Sequence, residues 1–161
     1  MKAIKSLYDL GMENQVSDWI NDLLSVPNPA FAGMPPCPYA KKAWIEGNVD
    51  VKKFVNYDQL EEDIKELGQR VIIFVFTYPL LPNAKKLKSV VEWLGKKHPD
   101  YIFYAEHPDI IEEVAGVKLN SGMSAIIVQD RKDLLEKRAD LKKTEYYKNW
   151  NTDMKEQIFE R

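Results

Sequence analysis

The sequence predicts an α/β fold, a single-domain layered sandwich whose central sheet of four or five strands is flanked by helices. Three observations predict it. Strand-like and helix-like patterns alternate through residues 44–129. The run Val71-Ile72-Ile73-Phe74-Val75-Phe76 is apolar without interruption, as a strand covered on both faces is. A chain of 161 residues, 45% hydrophobic and 30% charged, is the size and composition of one ordinary globular domain.

The elements follow in order. Residues 1–25 are predicted helical. A first segment over 2–10 stops at Gly11, and a second over 13–25 places Val16, Trp19, Ile20, Leu23 and Leu24 on one face of a 3.6-residue period. Residues 26–38 hold five prolines, which bar a helix or a central strand and predict an irregular but stiff loop. Tyr39-Ala40-Lys41-Lys42-Ala43 starts a short helix, with Pro38 tolerated in its first turn.

Trp44 to Phe54 reads as a strand or hairpin broken near Gly47-Asn48, and Asp58 to Leu67 as a helix that ends before Gly68. After the Val71–Phe76 strand and the Tyr78–Pro82 loop, Asn83 caps a helix to about Lys97, with Leu87, Val90, Val91 and Leu94 inward. Tyr101 to Ala105 is the next strand. In the turn that follows, Asp109 is placed to cap a short helix through Ala115, which Gly116 ends. A loop over 118–123 leads to the strand Ser124–Gln129. Residues 130–161 are read as helices, the last with a Tyr147, Trp150, Met154 and Ile158 stripe. Right-handed crossovers favour parallel strand pairs. A ferredoxin-like sandwich and a thioredoxin-like sheet both satisfy this succession.

Charge and cysteine usage exclude several function classes. The 23 Lys and Arg against 25 Asp and Glu give no basic footprint for nucleic acid or an anionic membrane. The paired lysines, such as Lys85-Lys86, read as solvated faces. The longest apolar run is six residues, far short of a membrane helix. A single cysteine, Cys37, makes no internal disulfide, and no leader pattern opens the chain, so a reducing cytoplasm is the expected location. Phosphate-loop, dinucleotide, nucleophile-elbow, His-Glu-x-x-His and Cys-x-x-Cys patterns are all missing. No cofactor is implied.

Two residues carry candidate chemistry. Cys37 sits just before a helix start, where unpaired N–H groups and the helix dipole favour a thiolate, and Lys41 adds charge. Its bland alternative is a small residue packing a proline-rich loop. His107 stands at a strand end beside Pro108, where α/β proteins place ligands, with Glu106 and Asp109 placed to orient it. Its bland alternative is a histidine at a surface turn. His98, in a second His-Pro-Asp triplet, reads as a helix C-terminal histidine that stabilises the dipole. A mixed metal site from Cys37, His107 and an acid has no supporting ligand spacing, so no metal is expected.

Cys37-Pro38-Tyr39-Ala40 resembles the active-site motif of monothiol glutaredoxins over four residues. A wider resemblance, over roughly residues 16–140, is to a bacterial family of unknown function. Its pattern is Cys-Pro-Phe-Ala after an N-terminal helix, a His-Pro-Asp turn after a strand, and a last strand leading into a charged helix. Cys37-Pro38-Tyr39-Ala40, His107-Pro108-Asp109 and the Ile126-Ile127-Val128 run before Arg131 and Leu134 carry the likeness here. Ile110-Ile111-Glu112-Glu113 departs from it, where that family has an aromatic-rich stretch. The resemblance implies a shared fold and no mechanism.

Two functions are therefore expected. One is a small thiolate-dependent enzyme with Cys37 as nucleophile, His107 as base and Tyr39, Lys41 and Asp109 around a small-molecule substrate. The other is a non-catalytic binding or accessory protein that associates, as a homo-oligomer, through residues 145–160.

Overall fold

The computed structural model describes residues 7–159, with side chains described over 9–156. Helix α1 spans Leu7–Trp19 and passes straight through Gly11, where a stop is predicted. A glycine inside a helix costs about 1 kcal/mol. Burial of Met12, Val16 and Ile20 against the sheet outweighs it, at roughly 1.5–3 kcal/mol for each side chain. The helix then widens into one π-type turn, Ile20–Leu24, closed by Ser25 N–H donating to Ile20 O at 2.9 Å. The part of the predicted first helix over residues 2–6 lies outside the described residues.

The proline-rich loop is irregular, as expected. It contains a 3₁₀ turn, Pro29–Phe31, capped by the Asn28 side chain, and Phe31 is fully buried. Helix α2 follows over Ala40–Ile45 and takes Trp44 away from the predicted strand. The reason lies at Gly47-Asn48. Asn48 N–H donates to Ala43 O at 2.8 Å and Gly47 N–H to Trp44 O at 3.2 Å, with Gly47 at φ +73°. That is a Schellman helix end, which needs the left-handed residue that glycine supplies. The strand β1 begins only at Val49 and runs to Lys53.

From there the alternation holds. Helix α3 (Tyr57–Ile64) is capped by Asn56 and leads to β2 (Val71–Val75). Helix α4 (Ala84–Lys97) is capped by Asn83, whose side chain accepts from Lys86 N–H at 2.8 Å. Strand β3 is Tyr101–Glu106. The predicted short helix through Ala115 is absent. A two-stranded hairpin, β4 (Glu113–Val114) and β5 (Val117–Lys118), turns instead at Ala115 and Gly116, both at positive φ. Two consecutive positive φ values are the signature of a tight hairpin turn and stop no helix. Strand β6 (Ala125–Asp130) runs into α5 (Arg131–Lys142), with Asp130 as cap. Turns over 143–150 precede α6 (Thr152–Phe159), so the terminal stripe is broken into two pieces.

The sheet order is β1-β2-β6-β3. β1 and β2 are parallel, and β6 is antiparallel to both β2 and β3. Only one of the three pairings is parallel, because the short return from β3 brings β6 back from the same edge. The chain order is not the βαββαβ of a ferredoxin-like sandwich. Helices cover both faces. Leu60 and Ile64 of α3 and Leu87 and Leu94 of α4 pack on Phe74, Ile126 and Val128. Met12, Val16 and Ile20, with Trp44 of α2, pack on Ile73, Val75 and Ile127. A third cluster joins Phe31 to Val114, Leu119, Leu141, Tyr146 and Tyr147. The pairing brings the carboxyl ends of β1, β2 and β3 to one edge, where α/β sheets bind ligands.

Candidate functional site

Cys37 stands at the start of α2, held by its N–H donating to Leu24 O at 2.9 Å. The N–H groups of Tyr39 and Ala40 point to its thiol, and the Lys137 ammonium lies near enough to act on it. All three favour a thiolate; the cation the sequence points to is Lys41, and the one acting here is Lys137. Desolvation is larger, and burial pushes the Cys37 thiol up from its ordinary value. Two further features weaken the expected activation. Helix α2 has only six residues, so few aligned peptide dipoles act on the thiol. Lys137 is spent on Asp133 at 2.8 Å and on the Tyr39 ring, 5.6 Å from its centroid. Lys41 is exposed on α2, and its position there does not offset the burial.

The surroundings of Cys37 are aromatic. Tyr39 OH donates to Lys137 O at 3.3 Å, and Tyr146 OH donates to Pro36 O. Burial raises the pKa of Tyr39, Tyr146 and Tyr147, the last to about 12. These phenols stay protonated at neutral pH. Arg138 is buried nearby and donates to Tyr104 OH at 2.7 Å.

His107 is 9% exposed at the carboxyl end of β3. Its Nδ1 accepts the Asp109 N–H at 3.0 Å, and its Nε2 lies 3.1 Å from Pro82 O. The carbonyl can only accept, so the bonding pattern assigns the ring proton to Nε2. Both nitrogens are therefore engaged within the fold. His107 ties the end of β3 to the loop before α4. The Asp109 carboxylate is 83% exposed and 3.9 Å from an Nδ1 that already accepts a backbone N–H, so it does not orient the ring. No hydrogen bond or ion pair joins Cys37 to His107 among the described residues.

His98 stands at the end of α4, where the sequence places it, and has a side-chain partner there. Its Nε2 is 2.8 Å from Glu61 Oε2, which Lys97 also reaches. Those contacts, the Lys97 hydrogen bond first, hold the Glu61 carboxyl below its usual range.

Glu106, expected to orient His107, is bonded to Ser121 instead. It is 4% exposed, and its Oε2 accepts the Ser121 hydroxyl at 2.9 Å and the Ser121 N–H at 3.3 Å. Burial, and then the charge of Glu112, push its carboxyl up to about 7. The signal in sequence is an acid ending an apolar strand opposite a loop serine. Asn120 completes the network by accepting from Glu112 N–H at 3.1 Å and donating to Ile110 O.

Two surface hollows, of about 280 Å³ and about 370 Å³, lie against α3 and are lined mostly by charged side chains. Neither contains Cys37, Tyr39, Lys41, His107 or Asp109. No three His, Cys, Asp or Glu side chains are grouped for a metal among the described residues. No described helix is long and apolar enough to cross a membrane.

What the carboxyl edge presents is apolar. Tyr78 is 87%, Leu81 55% and Ile111 72% exposed, and Leu80 is nearly half exposed. The His107–Pro82 bond ties the loop carrying Tyr78, Leu80 and Leu81 to the turn that precedes Ile111. The terminal stripe, by contrast, turns inward. Tyr147 and Trp150 stack edge to face at 4.8 Å, and Trp150 and Met154 pack on the third cluster. The Ile158 side chain lies outside the described residues. No family model matches the chain, and neither a curated protein nor a solved structure does, so the chemistry has to be read from these residues alone.

Proposed function

We propose that this chain is a non-catalytic binding or accessory protein, working in a reducing cytoplasm, that receives an apolar segment of a protein partner on its carboxyl-edge loops. The observation that carries the reading is the group Tyr78, Leu80, Leu81 and Ile111, exposed on two loops tied together by His107. Large apolar side chains left exposed on neighbouring loops are what an interaction site presents. The contact surface is thereby moved from residues 145–160, whose Tyr147 and Trp150 are occupied within the fold.

A fluorescently labelled amphipathic helical peptide of Leu, Lys and Glu tests the reading. The expected result is saturable binding that the Tyr78→Ser/Leu81→Ser/Ile111→Ser variant loses. Absence of binding, or equal binding by the folded variant, overturns it.

A thiolate-dependent enzyme is the second reading, favoured by the Tyr39 and Ala40 N–H groups and by Lys137 around Cys37. Against it stand the raised thiol and a His107 with both ring nitrogens engaged.

A further inference from the structure

The end of β3 and the turn after it are joined by two acids. Glu106 closes β3 and is buried, Glu112 stands on the exposed turn, and their carboxyl groups are hydrogen-bonded. A bond between two carboxyls needs a proton, because a carboxylate can only accept. With one proton the pair is a donor and an acceptor. With none it is two like charges in contact, one of them out of water. Neither acid has an ion-pair partner among the described residues to offset that state.

The surrounding bonds make the pair matter to a whole segment. Glu112 N–H donates to Asn120 Oδ1 at 3.1 Å, Leu119 N–H donates to Glu112 O at 2.8 Å, and the Asn120 amide donates to Ile110 O. The turn 110–113 and the far end of the β4–β5 hairpin are thus one hydrogen-bonded unit, and Ile111 lies in it. Few charged groups stand around Glu106. His107, beside it, is bonded to Pro82 O and to the Asp109 N–H. On the hairpin, Lys118 is opposite Glu113. β6 places Ala125 opposite Glu106, and α1 reaches the unit through the neutral Trp19 indole, which donates to Leu119 O at 3.0 Å. Burial, opposed by the Ser121 hydroxyl and reinforced by Glu112, brings the Glu106 carboxyl up to about 7, so the pair changes state near neutral pH.

We propose that Glu106 and Glu112 are a proton-operated latch: sharing one proton they hold the 110–113 turn, and Ile111 with it, on the end of β3, and when both are ionised they release it. The part that concerns Ile111 rests on the binding reading and gives that surface its regulator. Protonating His107 would break its bond from the Asp109 N–H and loosen the same turn at low pH, so its effect has the opposite sign.

Amide hydrogen exchange on the full chain, read as protection relative to the unstructured rate, tests the latch. From about pH 5.5 to about pH 8, protection at Glu112 and Leu119 should fall about tenfold or more, and both amides should exchange ahead of those of β2, as a local opening requires. Glu106→Gln keeps the shape without the titration and should hold protection within about twofold over that range. In Glu112→Gln the fall should be about threefold smaller, because half a unit of carboxyl shift goes with the pair. Retained β2 protection shows that the variants fold. Wild-type protection that does not change with pH, exchange no faster than that of β2, or a Glu112→Gln fall equal to the wild type's overturns the latch.

The labelled amphipathic peptide separates this from the binding reading. Its affinity should drop about threefold or more from about pH 6 to about pH 8, and Glu106→Gln should abolish the drop. Exchange that responds to pH, with no peptide bound at either pH, removes the binding reading and keeps the latch. Exchange that responds, with equal peptide affinity at both, overturns the latch as regulator of that surface.

Discussion

The start of α2 and the carboxyl edge of the sheet are built in opposite ways. The first carries the motif, Cys37-Pro38-Tyr39-Ala40, with Cys37 half-buried beside Tyr146 and Tyr147, and desolvation there outweighs the groups that would stabilise an anion. The second has no motif in its Tyr78–Pro82 loop and leaves large apolar side chains in water. A nucleophile needs its charged form to be affordable where it stands, and a docking surface needs exposed apolar area. Neither property follows from how distinctive a tetrapeptide looks. In this molecule the distinctive stretch is the more enclosed, and the plainer stretch leaves large apolar side chains exposed.

The largest effect expected from this contrast is on stability. Phe31 is fully buried between Tyr146, at 5.3 Å between ring centroids, and Trp150, at 6.2 Å. It anchors the proline-rich loop that delivers Cys37. Phe31→Ala should cost about 3–5 kcal/mol in urea unfolding, the usual range for emptying an aromatic core site. Tyr78→Ala at the edge should stay within about 0.5 kcal/mol, as exposed substitutions do. Near-equal losses would mean that the two regions do not differ in this way.

Glu106 sharpens the comparison from the side of the edge. Beneath the exposed loops this carboxyl is buried, and its pKa in the folded chain, about 7, lies above the ordinary 4.5. The folded state therefore binds the proton more tightly than the unfolded chain does. The stabilisation is complete below the ordinary carboxyl range and is lost as pH rises from about 4.5 to about 7, by about 3 kcal/mol in all. Above that window the contribution no longer changes. Glu106→Gln keeps an acceptor for Ser121 and carries no charge, so its unfolding free energy should lack this downward slope. An unchanged slope in the variant would locate the titration elsewhere.

Much of this architecture is written locally. Val71–Phe76 reads as a covered strand, and β2 is covered on both faces; Asn83 and Asp130 read as helix starts, and both cap. What failed to read locally failed for physical reasons. A glycine that ends a helix and a glycine that breaks a strand are the same letter, so Gly47 turned Trp44 into a strand residue on paper. The β4–β5 hairpin is two residues on each side, too short for any period, and its turn puts an alanine, Ala115, at φ +50°, which no propensity announces. For the site, the positions of Cys37 and His107 were visible, and their states were not. The thiol's neighbours include residues more than 100 positions away, Tyr146 and Tyr147, and the engaged His107 ring depends on a carbonyl at Pro82.

The smallest effect is also the one that bears most directly on the second reading. Alkylation of Cys37 by iodoacetamide, followed against pH in the folded chain and in urea, compares the same thiol with and without its surroundings. The folded protein should show the higher apparent pKa, because the desolvation that opposes the anion exceeds what the Tyr39 and Ala40 N–H groups and Lys137 return. Each unit of that rise removes about tenfold of the thiolate at neutral pH and corresponds to about 1.4 kcal/mol. Lys137→Met should raise it further, since it removes the cation that acts on the sulfur among the described residues. A folded-state pKa below that of the unfolded chain would reverse the comparison. It would make the motif-bearing region the reactive one and restore Cys37 as a nucleophile in search of its base.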